Sequence, residues 1–137
     1  MENCIFCKIA NGEIPSATVY EDADFRGIMD IAPAAKGHVI LLPKKHFANL
    51  LEAEDATLSK ALPVVKKIAN GISKSLNCDG INVVQNNGEA AGQTVFHLHI
   101  HMIPRYKQDT VSVTWKQGSY ADNEAAAVAE KIRSNIE

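Results

Sequence analysis

The spacing of apolar residues divides this chain into regimes with different periods. Between residues 18 and 43, short β-branched or aromatic runs alternate with turn residues, which predicts strands over 18–21, 25–31 and 37–43. Residues 21–24 form the tight turn between the first two, and residues 33–37 form a loop. The period then lengthens: Leu58, Leu62, Val65, Ala69, Ile72 and Leu76 recur at steps of 4, 3, 4, 3 and 4. That is one apolar stripe on an α-helix. Glu54 or Asp55 serves its N-terminus, and residues 77–80 end it. Pro63, which removes an amide donor, should bend or break it. Strands return over 81–85 and 95–104, joined by a glycine-bearing loop at 86–94. Residues 105–122 are polar and irregular apart from 111–115. Asp122 or Asn123 then caps a last helix with Ala125, Val128, Ala129, Ile132 and Ile136 on one side. Ahead of the first strand, residues 4–10 fit one or two helical turns, punctuated by Asn11, Gly12 and Pro15. Strands, long helix, strands, helix, with short turns, predict an α+β fold. Its centre is an antiparallel sheet of about five strands with helices packed on it, in a single domain over residues 1–137.

One strand carries more than structure. His97, His99 and His101 alternate with Leu98, Ile100 and Met102, following Phe96. Side chains i, i+2 and i+4 share one face of a strand, so three imidazoles should stand in a row roughly 6.6 Å apart. The apolar set should point into a core. Such a row raises desolvation and repulsion costs that apolar residues would avoid. It therefore points to a nucleophile, an acid/base group or metal ligands.

Composition narrows the classes. The chain has 137 residues, 46% hydrophobic and 22% charged, with a formal net charge of −2. These are the values of an ordinary globular protein, and bulk electrostatics favour neither nucleic acid nor a membrane surface. No apolar run approaches a membrane span, and no basic region followed by an apolar run opens the chain, so a cytoplasmic location is expected. Three cysteines, Cys4, Cys7 and Cys78, argue against a disulfide framework.

Further residues fit chemistry around the histidines. Glycines in the 86–94 loop let amides approach an oxyanion, and Gln93 and Thr94 add polar side chains, so the loop resembles half of a phosphate cradle. His38 could orient one of the imidazoles by hydrogen bonding. Asp30 could accept hydrogen bonds from sugar hydroxyls. Cys4 and Cys7 have the spacing of half a tetrahedral zinc site, and His46 and His97 are candidates for the other half. Two reduced thiols or a redox pair are the alternatives. Lys44 and Lys45 read as solvated.

Together these features resemble the histidine triad (HIT) family, defined by His-φ-His-φ-His-φ-φ with φ apolar. Residues 97–103 fill that pattern at every position. Matching stretches are 5–9, 12–15, 30–33, 37–39 and 43–46, together with Asn86, Gly92 and Gln93. The resemblance covers residues 4–106, is nearest to the Hint branch, and leaves 107–137 as a variable tail. It implies an α+β fold whose sheets join across a homodimer. It implies hydrolysis or transfer at the α-phosphate of a purine nucleotide, typically a nucleoside phosphoramidate, through a nucleotidyl-histidine. His99 corresponds to the nucleophile, with His101 and His38 orienting it. Asp30 would hold the ribose, and Ile5, Phe6, Ile9 and Ile31 the base. Asn86, Gly92, Gln93, Thr94 and Val95 would meet the phosphate. Cys4, Cys7, His46 and His97 would bind one structural zinc per protomer.

Three other readings fit the same residues: a diadenosine polyphosphate hydrolase, a metalloenzyme whose His97, His99 and His101 share a catalytic ion, and a non-catalytic nucleotide-binding module.

Overall fold

The computed structural model describes residues 3–137. Helix α1 (Ile5–Ala10) opens it, followed by strands β1 (Thr18–Glu21), β2 (Phe25–Met29) and β3 (Val39–Pro43). Then come the long helix α2 (Asp55–Leu76), strands β4 (Gly80–Val84) and β5 (Ile100–Arg105), and helix α3 (Glu124–Ser134). The five strands form one antiparallel sheet in the order β1-β2-β3-β5-β4. The α+β architecture expected from the periodicities is the one observed.

Alternation along the central strands sorts the molecule into two faces. Val39, Leu41 and Met102 join Phe25 and the α2 residues Ala61, Val64, Val65, Ile68 and Ile72 in the larger core. Ile40 and Leu42 point the other way, where Ala10 of α1 and Ile28 complete a second cluster with Phe6 and Ile9 against it. His101 pairs with Ile40 across the β3–β5 ladder, which puts its imidazole on the α1 face.

Three expectations need correction. The histidine strand begins at Ile100 rather than residue 95, so His97, in a bend, and His99 both precede the ladder. Phe96 is 50% exposed instead of buried, while Leu98 and Met102 do enter the core. The cause is local. The His97 imidazole donates to the Pro43 carbonyl (Nε2–O 2.8 Å), and a backbone bond runs from Leu98 N–H to Phe47 O (2.7 Å), beyond the end of β3. Second, α2 buries a neighbouring stripe. Leu62 is 65% exposed, whereas Ala61, Val64, Val65, Ile68 and Ile72 face the sheet. Those residues also recur at 3–4 spacing, and their smaller side chains let α2 lie close to the strands. Third, Pro63 does not break α2, which runs unbroken through 22 residues. Pro63 and Ser59, whose carbonyl loses its amide partner, both lie on the solvent side, where water satisfies that carbonyl. Residues 111–115 form no strand.

Gly37 turns the chain into β3 with φ +99°, and a Cβ there would collide with the Leu76 side chain. The turn places His38 just before β3, opposite Asp30 just after β2, where Asp30 N–H donates to His38 O at 2.9 Å.

Candidate active site and metal centre

Hydrogen-bond partners determine the protonated nitrogen on four of the five imidazoles. A carbonyl only accepts, and a backbone N–H only donates. His99 Nδ1 lies 2.7 Å from the His97 carbonyl, so it carries the proton and leaves the Nε2 lone pair for chemistry. Ala34 N–H donates to His38 Nδ1 (3.0 Å), so His38 Nε2 is protonated and donates to His101 Nδ1 at 2.9 Å. His101 therefore carries its proton on Nε2. The Asp30 carboxylate lies 3.5 Å from His38 Nε2 and anchors itself through the Ala32 amide (2.8 Å). The His99 and His101 rings sit 4.9 Å apart, and Phe6 stands edge-on to His99 at 5.0 Å.

This environment keeps the imidazoles neutral. Burial, reinforced by His99 and His38, depresses His101 to about 4. Burial also lowers His99 and His38, opposed by Asp30 in both and by the His97 carbonyl at His99. An unprotonated nitrogen near neutral pH is what a nucleophile needs.

His97 turns away from this pair. Its Nε2–H is committed to Pro43 O, so its Nδ1 lone pair faces Cys7 Sγ at 3.4 Å, Cys4 Sγ at 3.5 Å and His46 Nδ1 at 3.2 Å. His46 Nδ1 to Cys7 Sγ is 3.2 Å. Tetrahedral zinc with ordinary bond lengths would set ligand–ligand edges of about 3.3 Å for N–N and about 3.5 Å for S–N. All four donor atoms lie within 4.8 Å of one another. Helix α1 builds half of the set: Cys4 caps it by accepting from Cys7 N–H at 3.4 Å, which brings the two sulfurs to one end. Burial and the neighbouring Cys4 push the Cys7 thiol up, an effect that a divalent cation would reverse. The donor chemistry thus fits a four-ligand metal centre.

Asp30, His38 and His101 also cluster at metal-ligand distances. A metal on His38 Nε2 would force the proton onto Nδ1, against the Ala34 amide that already donates there. That trio is therefore a hydrogen-bond chain. His97, His99 and His101 do not converge on a shared ion, because His97 belongs to the cysteine group and His99 to neither group.

The expected ligand-facing residues are partly assembled. Ile5, Thr94 and Val95 line a 710 Å³ cleft with Cys4, His46 and Phe96. Phe6 and Ile9 lie on the inner cluster, and Ile31 is 100% exposed beside Asp30. Gln93 departs from its expected role. Its side chain is 2% exposed, donates to Ala48 O (2.7 Å) and Val95 O (3.1 Å), and accepts from Gly88 N–H (2.8 Å). It shapes the loop rather than facing a ligand. Gly92, at φ +97°, turns the loop, and the Gly92 and Gln93 amides bond within it. The Asn86 amide lies beside Gly92, at ordinary contact distance (3.5 Å) from where a Cβ would stand. Ala34, Pro43 and Ala48 act only through backbone groups, so no side-chain signal could have marked them.

The HIT domain profile matches residues 11–108. The chain belongs to the HIT family. It is 44% identical to the Bacillus subtilis protein Hit over 98% of this chain and 92% of that one. It is 38% identical to an adenosine 5′-monophosphoramidase of Schizosaccharomyces pombe over 98% of each. A B. subtilis HIT family crystal structure superposes with TM-score 0.93 at 40% identity, covering 98% of both chains. A zinc-bound histidine triad protein from Mycobacterium smegmatis superposes with TM-score 0.77 at 35% identity over 98% of this chain and 99% of that one. No helix among the described residues is long and apolar enough to cross a membrane.

Proposed function

We propose that this HIT protein hydrolyses purine nucleoside phosphoramidates by two displacements at the α-phosphorus. The observation that carries the reading is the bond from His99 Nδ1 to the His97 carbonyl, which leaves Nε2 as the nucleophilic lone pair. That nitrogen attacks phosphorus as the phosphorus–nitrogen bond to the leaving amine breaks, and the His101 Nε2 proton passes to the amine. Water then cleaves the nucleotidyl-histidine: its hydroxyl goes to phosphorus and its proton returns to His101 Nε2, which releases the nucleoside monophosphate and restores both imidazoles. The Thr94 and Val95 amides, which make no bond within the loop, suit the phosphoryl oxygens. Asp30 suits the ribose hydroxyls, and the purine lies among Ile5, Phe6, Ile9 and Ile31. The monophosphoramidase activity named for the S. pombe relative supports this chemistry.

Zinc is the metal that Cys4, Cys7, His46 and His97 would hold, in a structural role because four protein ligands leave no open position. The zinc-bound M. smegmatis relative supports this choice. The working unit is a homodimer joined through β4. At the other edge β1 is short, bulged between Thr18 and Tyr20 and closed by Glu21, whereas β4 pairs regularly and leaves Val83 half exposed. The location we propose is the cytoplasm, where a chain with an odd number of cysteines and no disulfide framework is usual.

The test is His99→Ala. Turnover of an adenosine phosphoramidate should be abolished while the nucleoside monophosphate still binds, and mass spectrometry of the wild type quenched in turnover should find His99 nucleotidylated. Normal turnover by the variant would refute the assignment. A higher kcat/KM on diadenosine polyphosphates would move the substrate assignment to that class.

A further inference from the structure

The sheet face opposite His99 is only partly covered. Helix α2 lies over one part, and a 490 Å³ apolar trough opens beside it. Val19 and Tyr20 of β1 and Val39 of β3 form its floor, and the 67–76 half of α2 forms its wall. Midway along that wall is Gly71, where a Cβ would meet nothing within 4 Å. A second helix can therefore approach α2 closely at that point.

The same chain carries a helix with nothing to pack on. Every residue of α3 is exposed, including Val128 and Ile132 on its apolar stripe, and so is the chain from Thr114 to its start. A helix of 11 residues is marginal in water and gains its stability by burying an apolar face. Helix α3 from Glu124 to Ser134 is about 15 Å long, and the wall from Lys67 to Leu76 about 14 Å.

We propose that α3 of one copy seats in the α2 trough of a second copy, and reciprocally. An uncovered apolar helix and an uncovered trough of matching length on one chain satisfy each other when a two-fold axis relates two copies, and the assembly closes. The connection allows it, since residues 110–123 extended span about 45 Å. With sheets joined at β4, five strand spacings separate β5 from the partner's β2, about 24 Å. The inference rests on the homodimer proposed above and is independent of its chemistry.

The experiment co-expresses two differently tagged copies, one carrying Gly71→Cys and one Val128→Cys, both with Cys78→Ser, under mild oxidation. The expected result is a disulfide joining positions 71 and 128 between the two tags, identified by peptide mass spectrometry. A linkage found only within one chain, when both cysteines are placed on the same copy, would overturn the proposal in favour of self-docking. Its absence in both formats would overturn it outright. As an independent readout, truncation after Gly118 should raise deuterium uptake in residues 67–76 several-fold, and unchanged uptake counts against the seat. Light scattering on the same samples separates the failures: a dimer without the linkage rejects the α3 seat alone, and a monomer rejects both the seat and the homodimer. Phosphoramidate turnover reports separately on the chemistry.

Discussion

His38 Nε2 lies 2.9 Å from His101 Nδ1 and donates to it, because the Ala34 amide already occupies His38 Nδ1. One main-chain N–H in the loop before β3 thereby decides which nitrogen of a residue 67 positions away, on β5, holds its proton.

His38→Ala should remove that control and leave both His101 tautomers populated. We expect kcat for amine-leaving substrates to fall by about 10²-fold, within the usual range for a disturbed general acid. A substrate whose leaving group needs no proton should lose much less, so kcat measured on both types checks the role.

Acid should weaken fold and activity together. His101 is held at about 4 in the native state, against an unfolded imidazole of about 6.5. As pH falls, the unfolded state takes up the proton first. The stability from neutral His101 is therefore fully present above about 6.5 and is lost progressively towards about 4. Tm measured between pH 7 and 4.5 should fall with this sign, His101→Gln should flatten part of the slope, and kcat/KM should hold its plateau to pH 6.

Removing the metal should cost stability without touching the nucleophile. A metal held a thousandfold below its free concentration stabilises a fold by about 4 kcal/mol, which corresponds to a Tm shift of order 10 °C. Cys7→Ser should lose bound zinc by elemental analysis, and strong chelation should reproduce the shift in the wild type.

Gln93 is the keystone of the 88–95 loop. Gln93→Ala strands the Gly88 amide and deprives two carbonyls of a donor, a loss of about 2–4 kcal/mol for buried polar groups. KM for the nucleotide should rise more than kcat falls, because the loop amides lose their setting while His99 keeps its bond to the His97 carbonyl. Denaturant melts and steady-state kinetics check the two halves.

Element types were legible wherever a period ran long enough. The 22-residue α2 and the strands that flank it in sequence, β3 and β4, stand within two residues of where the spacing placed them. Its buried stripe was not, because two overlapping stripes fit a 3.6-residue period and only the sheet chose between Leu62 and Ala61. The histidine row was legible as a cluster, but the separate direction of His97 was not, because that residue precedes the ladder and its ring reaches Pro43 O.

By itself, the sequence determined the α+β layout, the cysteine pair and the alternating row of histidines, since periodicity and residue type are local properties. Only the tertiary structure decided which imidazole faces the cysteines, which nitrogen of each ring is protonated and that Gln93 turns inward. Those depend on the carbonyls of Pro43, Ala48 and His97 and on the Ala34 amide. Every residue carries such groups, so the sequence cannot mark them, and folding alone brings particular ones within hydrogen-bond reach.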